Sequence, residues 1–268
     1  MSVIAEGWKG PARRLLCRTV VVKKWDRLAK GVPEWAKQGL QNVSIDSACW
    51  SGSQLQEAAD ALFKFLMRAL NLRLLRLDSL PFHSFGADSS ALLRTTHLLP
   101  FLNDLTIFSD RPFPQSVIAD ILATSNGQIN RLHLQNGPYT IAPITSERLD
   151  FGGNLRYLRV EGLPSLETLD RSSLVGLKEV HVDGVLGQST DQAMELFSAV
   201  APTLEKFTIG GGNVTGIVES FPLLTRLTRL SLPSVPASPD SLLLPPSVVS
   251  SQTCRLSQTM VYVLSGDG

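Results

Sequence analysis

The chain has 268 residues, 43% of them hydrophobic, with 25 Lys plus Arg against 24 Asp plus Glu. That apolar content is ample for a buried core and excludes a disordered chain. The near-balance of charge excludes a global field that would draw nucleic acid or an anionic membrane, so partners must be recognised locally.

The three cysteines, Cys17, Cys49 and Cys254, are far apart and form no Cys-x-x-Cys pair. Their odd number and spacing argue against a disulfide framework or a zinc site and fit a reducing compartment. The opening MSVIAEGWKG holds no apolar run long enough for a signal peptide, and no stretch approaches the roughly 18 apolar residues of a membrane span. The expectation is a cytoplasmic or nuclear protein, in which the sequons at Asn42 and Asn213 carry no glycan.

Residues 1–38 are basic, with Trp8, Trp25 and Trp35 interleaved. A continuous amphipathic helix, of the kind that binds calmodulin or a membrane surface, is broken by Pro11, Pro33 and the β-branched run Thr19, Val20, Val21, Val22. The segment is expected to cap one end of the domain that begins at Gly39.

From Gly39 onward one phrase recurs: GLQNVSID, NLRLLRLDSL, FLNDLTIFSD, QINRLHLQNG, NLRYLRVEGL, GLKEVHVDGV, TLEKFTIGGG and RLTRLSLPSV. Each reads L-x-x-L-x-L with apolar replacements. The middle apolar positions, Val43, Leu75, Leu105, Leu132, Leu158, Val180, Phe207 and Leu230, are spaced 32, 30, 27, 26, 22, 27 and 23 residues apart. This is around the 20 to 29 of leucine-rich repeats and gives about eight repeats over 39–235. The last two apolar positions, two residues apart, point to one side of a strand. Between phrases, Gln54 to Leu70 places Leu55, Ala58, Ala59, Leu62, Phe63, Leu66 and Leu70 on one helical face, with Ser53 as N-cap. Shorter helical stretches are expected over 89–99, 115–124 and 190–200.

A strand–helix unit of this size cannot bury its apolar face alone, so neighbours stack. Helices about 10 Å wide beside strands about 4.8 Å apart make the stack curve. The expected fold is therefore an α/β leucine-rich-repeat solenoid: a right-handed superhelix with parallel strands on the concave face and helices outside. A doubly wound sheet would want strands apolar on both faces, whereas Arg131, His133 and Gln135 alternate with the apolar positions. After Leu232 the chain is rich in Pro and Ser, and 236–268 reads as a disordered tail rather than a capping repeat.

No catalytic constellation emerges. The triple glycine at 210–212 lacks a Walker Lys-Ser/Thr and reads as a turn after a strand. H-E-x-x-H, G-x-S-x-G and paired-cysteine motifs are missing, and His83 and His97 have no ligand-type neighbours at metal spacing. No enzyme activity, metal or cofactor is expected.

Laying the repeats side by side does produce columns of outward positions. Asp104, Arg131, Tyr157, Glu179 and Lys206 form one; Thr106, His133, Arg159, His181 and Thr208 the next; Phe108, Gln135, Glu161, Asp183 and Gly210 the third. The candidate protein-binding residues are Arg131, His133, Tyr157, Arg159, Glu161, Glu179, His181 and Asp183, a mixture of both charge signs around one tyrosine. Like-charge repulsion from Arg159 should keep the flanking histidines neutral near pH 7, opposed by Glu179 and Asp183. No hydroxyl or thiol nucleophile is expected beside either histidine.

The run Gly7-Trp8-Lys9-Gly10-Pro11-Ala12-Arg13-Arg14-Leu15-Leu16-Cys17-Arg18-Thr19-Val20 resembles the end of an F-box and its exit into a first strand, as in fungal F-box proteins with leucine-rich repeats. That resemblance covers about a dozen residues, and the repeats cover most of the rest. It implies the substrate-receptor subunit of an SCF-type ubiquitin ligase, with the repeats holding a protein substrate and the F-box holding the Skp adaptor. Trp8, Leu15 and Leu16 would then belong to the last F-box helix. Only Met1 to Glu6 precede this point, where the family has two further helices, so the Skp adaptor is expected to bind only once those are restored. The alternative is a free-standing scaffold or regulator of the same fold. In either case the chain is expected to be a monomer that recognises protein rather than nucleic acid or membrane.

Overall fold

The computed structural model describes residues 18–23, 39–46, 61–62, 64–66, 68–79, 99–109, 128–136, 153–161, 174–183, 197–210, 221–232, 251–256 and 259–264. The chain divides into two units, Met1–Ile129 and Asn130–Gly268. The first holds β1 (Thr19–Val22), β2 (Asn42–Asp46), β3 (Leu74–Asp78) and β4 (Asp104–Ser109), paired parallel in chain order. The second holds β5 (Arg131–Asn136), β6 (Tyr157–Glu161), β7 (Glu179–Asp183), β8 (Lys206–Ile209) and β9 (Arg229–Leu232), again parallel in chain order. Each unit is a stack of one short strand per repeat, and the fold is the α/β leucine-rich-repeat solenoid expected from the sequence.

The repeat phrase forms these strands because its three apolar positions share one destination. In the fifth repeat, Leu155, Leu158 and Val160 are all buried; in the third, so are Leu102, Leu105 and Ile107; the same holds for every phrase from Leu40 to Leu232. At about 1.5–3 kcal/mol for each aliphatic side chain removed from water, this apolar row is the main stabilising term. Within each unit, successive parallel strands begin in the same way. The carbonyl two residues before the reference position accepts two N–H groups from the next repeat: Asn130 O from Arg156 and Tyr157, Arg156 O from Lys178 and Glu179, Lys178 O from Glu205 and Lys206. This shared acceptor fixes the starting register of each pair, so equivalent residues stand opposite one another with no slip.

The connections contribute apolar side chains behind the sheet. Residues 61–62 and 64–66 are helical and bury Leu62, Phe65 and Leu66, within the helix expected over 54–70. Residues 197–200 are helical and bury Phe197 and Val200, within that expected over 190–200. In this latter region Phe207 takes the place of the usual leucine. Its ring meets Phe197 edge to face at 5.1 Å, and Phe221, from a 3-10 turn at Phe221–Leu223, lies 6.3 Å from it. Edge-to-face packing lets three bulky rings fill one layer without the repulsion of stacked faces. The helices expected over 89–99 and 115–124 fall outside the described residues, Leu99 excepted.

Two boundaries differ from the sequence reading. The first unit's stack begins at β1, inside the segment expected only to cap it: Thr19–Val22 pairs in register with Asn42–Ile45, and Arg18 O accepts the N–H groups of Gln41 and Asn42 as Gln41 O and Arg73 O accept those of the repeats after them. Its apolar positions are valines rather than leucines, which hid it from a search on the leucine phrase. At the other end, the segment expected to be a disordered tail contains β10 (Ser251–Leu256) and β11 (Thr259–Leu264). β11 pairs antiparallel with β9, and β10 antiparallel with β11. These strands carry no repeat phrase because an antiparallel hairpin needs no crossover; their backbone pairs the edge of β9 that a parallel stack leaves open.

Leu158 is 1% exposed and sits in a strand paired on both sides. Leu158→Ala is expected to cost about 2–5 kcal/mol, and Leu158→Asp to unfold the repeats around it by burying a charge without a partner. Chemical denaturation followed by circular dichroism checks both, and an unchanged midpoint for Leu158→Asp would refute the assigned register.

Candidate functional site

Strands β5 to β8 alternate strictly: Leu132, Leu134, Leu158, Val160, Val180, Val182, Phe207 and Ile209 point into the core, which leaves the residues between them on the polar face. Register then sets the neighbours. Arg131 pairs with Tyr157, Glu179 and Lys206 in one column; His133 with Arg159, His181 and Thr208 in the next; Gln135 with Glu161 and Asp183 in the third. All eight sequence-selected residues therefore lie on one face of the second unit, in the columns expected.

The side chains organise these columns into pairs. The Arg131 guanidinium lies over the Tyr157 ring, 4.3 Å from its centroid, attracted by the negative π face. Arg159 Nε donates to Glu161 Oε1 at 2.6 Å, and Nη2 contacts the same oxygen. His133 Nε2 stands 3.5 Å from that oxygen, so one carboxylate in the third column contacts two residues of the second. Glu161 is only 12% exposed against 39% for Arg159: the acid is sunk into the face and the guanidinium stands above it. Glu179 Oε2 lies 3.3 Å from Lys206 Nζ.

Some contributors were not singled out from the sequence. Lys206 answers Glu179, and its place in the same column was the available signal. Lys178 donates to Glu205 at 2.9 Å along the row just before the strands, holding the exposed Glu205 carboxyl below its usual range mainly through that hydrogen bond. Gly210 matters by what it lacks: a Cβ there would come within 2.7 Å of Asp183 Cγ and 2.8 Å of Oδ2. The Asp183 carboxylate thus lies over the Gly210 backbone. No periodicity reveals that contact.

His181 is held below the ordinary imidazole range first by burial and then by Arg159, against the opposing pull of Glu161, Asp183 and Glu179. The direction is the one expected, but desolvation outranks the like charge. Thr208 stands beside His181 in register, which corrects the expectation that no hydroxyl adjoins a histidine on this face. Among the described residues, no group of three or more His, Cys, Asp or Glu is placed to hold a metal ion, and no helix is long and apolar enough to cross a membrane.

No family model matches the chain, and no curated protein matches it. Among solved structures, it is similar to a protein from Bacteroides fragilis, at 16% identity and a TM-score of 0.40 over 72% of this chain and 58% of that one. It is also similar to the complex of Rad7 and Elc1 in yeast, at 15% identity and a TM-score of 0.37 over 82% of this chain and 65% of that one. The chain thus spans less than two thirds of the length of either.

The groups facing His181 are Tyr157, Arg159 and Glu161 on β6, Glu179 and Asp183 on its own strand, and Lys206 and Thr208 on β8. Because its folded pKa is depressed, the unfolded chain takes up the proton at higher pH than the folded one. Stability from this group is therefore present above the unfolded imidazole value, about 6.5, and is lost as pH falls through the folded value. The melting temperature of His181→Gln should fall less between pH 7.5 and 5.5 than that of the unaltered chain. Parallel curves would show that His181 does not titrate differently on folding.

Proposed function

We propose that the polar face of β5–β8 is a protein-binding surface, and that the chain serves as the substrate-recognition part of an SCF-type ubiquitin-ligase receptor. The observation that carries the first half is the Tyr157 ring with the Arg131 guanidinium stacked on it, set among the Arg159–Glu161 and Glu179–Lys206 pairs. Tyrosine and arginine contribute most often to binding energy at protein interfaces. Here their orientations are set by neighbours in the sheet before any partner arrives, which lowers the ordering cost of association. Mixed charge gives selectivity rather than general adhesion.

The ligase half rests on the Gly7–Val20 resemblance to an F-box exit. Its residues up to Cys17 lie outside the described residues, and Thr19 and Val20 are in β1, the first strand of the stack. A binding role is favoured over catalysis because the hydroxyl beside His181 belongs to a threonine on an open sheet face, and a triad needs both an oriented base and a site for a developing oxyanion.

Affinity capture from eukaryotic cell extract, with the chain, its Tyr157→Ala variant and a form extended N-terminally by two F-box helices, tests both halves. Tyr157→Ala is expected to lose bound protein, at a cost on the order of 2 kcal/mol or about 30-fold in affinity. The extended form is expected to recover Skp adaptor and cullin. Equal capture by Tyr157→Ala would refute the face; loss with Tyr157→Ala but no adaptor on the extended form would make the chain a scaffold outside any ligase.

A further inference from the structure

We propose that the partner of this face presents a lysine or arginine side chain to Asp183, beside Gly210. This rests on the reading of β5–β8 as a protein-binding surface and names the chemistry of what binds there.

Charge complementarity carries the inference, from a device found once in each unit. On β3, Arg76 Nε donates to Asp78, two residues further along the same face, at 2.8 and 2.9 Å. On β6, Arg159 does the same for Glu161. An arginine and an acid two apart on one strand stand side by side on one face, so each acid receives its cation from its own strand. On β7 the equivalent acid is Asp183, and the arginine's place is taken by His181. The half-buried imidazole is held below its ordinary range, first by burial and then by Arg159, so the strand offers Asp183 neither a guanidinium nor an ammonium.

Neighbouring strands do not supply it either. On the β6 side Asp183 faces Glu161, another acid already engaged by Arg159. On the β8 side lies Gly210, whose N–H is bonded to Val182 O. Lys206, the nearest lysine of β8, is four residues away and answers Glu179. Among the described residues no ion pair reaches Asp183, although Glu161, Glu179 and Glu205 each have one. The glycine also keeps the carboxylate reachable. Any side chain at 210 would collide with it, whereas bare, exposed backbone leaves the approach from above the sheet open. An incoming ammonium or guanidinium would complete the pairing that β3 and β6 make internally, as a charge-assisted hydrogen bond.

The test uses random 12-residue peptides displayed against the purified full chain at pH 7.5. Enriched peptides are resynthesised, and their affinities measured by fluorescence polarisation for the unaltered chain, Asp183→Asn and Tyr157→Ala. Asp183→Asn is nearly isosteric, and its melting temperature confirms that it folds. The enriched peptides are expected to share one Lys or Arg, and Asp183→Asn to weaken them about tenfold or more. Replacing that basic residue with Gln is expected to cost the same on the unaltered chain and almost nothing further on Asp183→Asn, the signature of direct coupling. Peptides that lose affinity with Tyr157→Ala but not with Asp183→Asn, or that share no basic residue, would overturn the inference while leaving the binding face standing. No enrichment, or peptides indifferent to both substitutions, would overturn the face and the inference with it.

Discussion

A strand of four to six residues with three apolar side chains on one side has nowhere to put them unless another such strand lies beside it. That constraint organises everything else in the two units. Leu155, Leu158 and Val160 are buried because the equivalent residues of the next repeats are stacked against them, and the shared carbonyl acceptors at Asn130, Arg156 and Lys178 start each pairing in the same place. Once the apolar set is committed inward, the pleat commits the alternate residues outward. The polar face is therefore a by-product of core packing, and its composition can vary from repeat to repeat at little cost to the fold.

This is why so much of the candidate site was legible. With zero slip between repeats, aligning the phrases is the same as aligning the strands, and the columns through Arg131, His133 and Gln135 follow directly. What periodicity could not provide is how side chains lean within a column. Nothing in the spacing distinguishes a guanidinium stacked on Tyr157 from one extended into solvent, or places the Asp183 carboxylate over Gly210. The order of effects on His181 was likewise hidden, because the charges flanking an imidazole can be read from a register whereas its loss of water contact depends on packing. At the ends of the stack the phrase itself was the obstacle: β1 uses valines, and β10 and β11 are antiparallel strands that owe nothing to the repeat.

The charged pairs on this face contribute little to holding the fold together. Exposed ion pairs are typically worth no more than about 1 kcal/mol, and many contribute nothing measurable. Lys178–Glu205 and Glu179–Lys206 are of that kind, each side chain being 40% exposed or more. Glu161 differs because it is sunk into the face and contacts both Arg159 and His133, so its desolvation has to be offset by good hydrogen-bond geometry. What the pairs do accomplish is restraint. A free arginine samples many rotamers, and Arg159 held by Glu161 does not.

Restraint of this kind lowers the ordering cost of recognition when a partner binds. On a face maintained for solubility alone, long side chains are better left mobile, since fixing them costs side-chain entropy with little return. Here Arg131 is stacked, Arg159 is clamped and Lys206 is paired, while a histidine stands on β7 where β3 and β6 place an arginine. The face is thus ordered where it carries its own counter-ions, and Asp183 has no ion pair among the described residues. That combination of restrained side chains and one acid without its cation is what the proposed binding role would use, because ordering before contact lowers the cost of association.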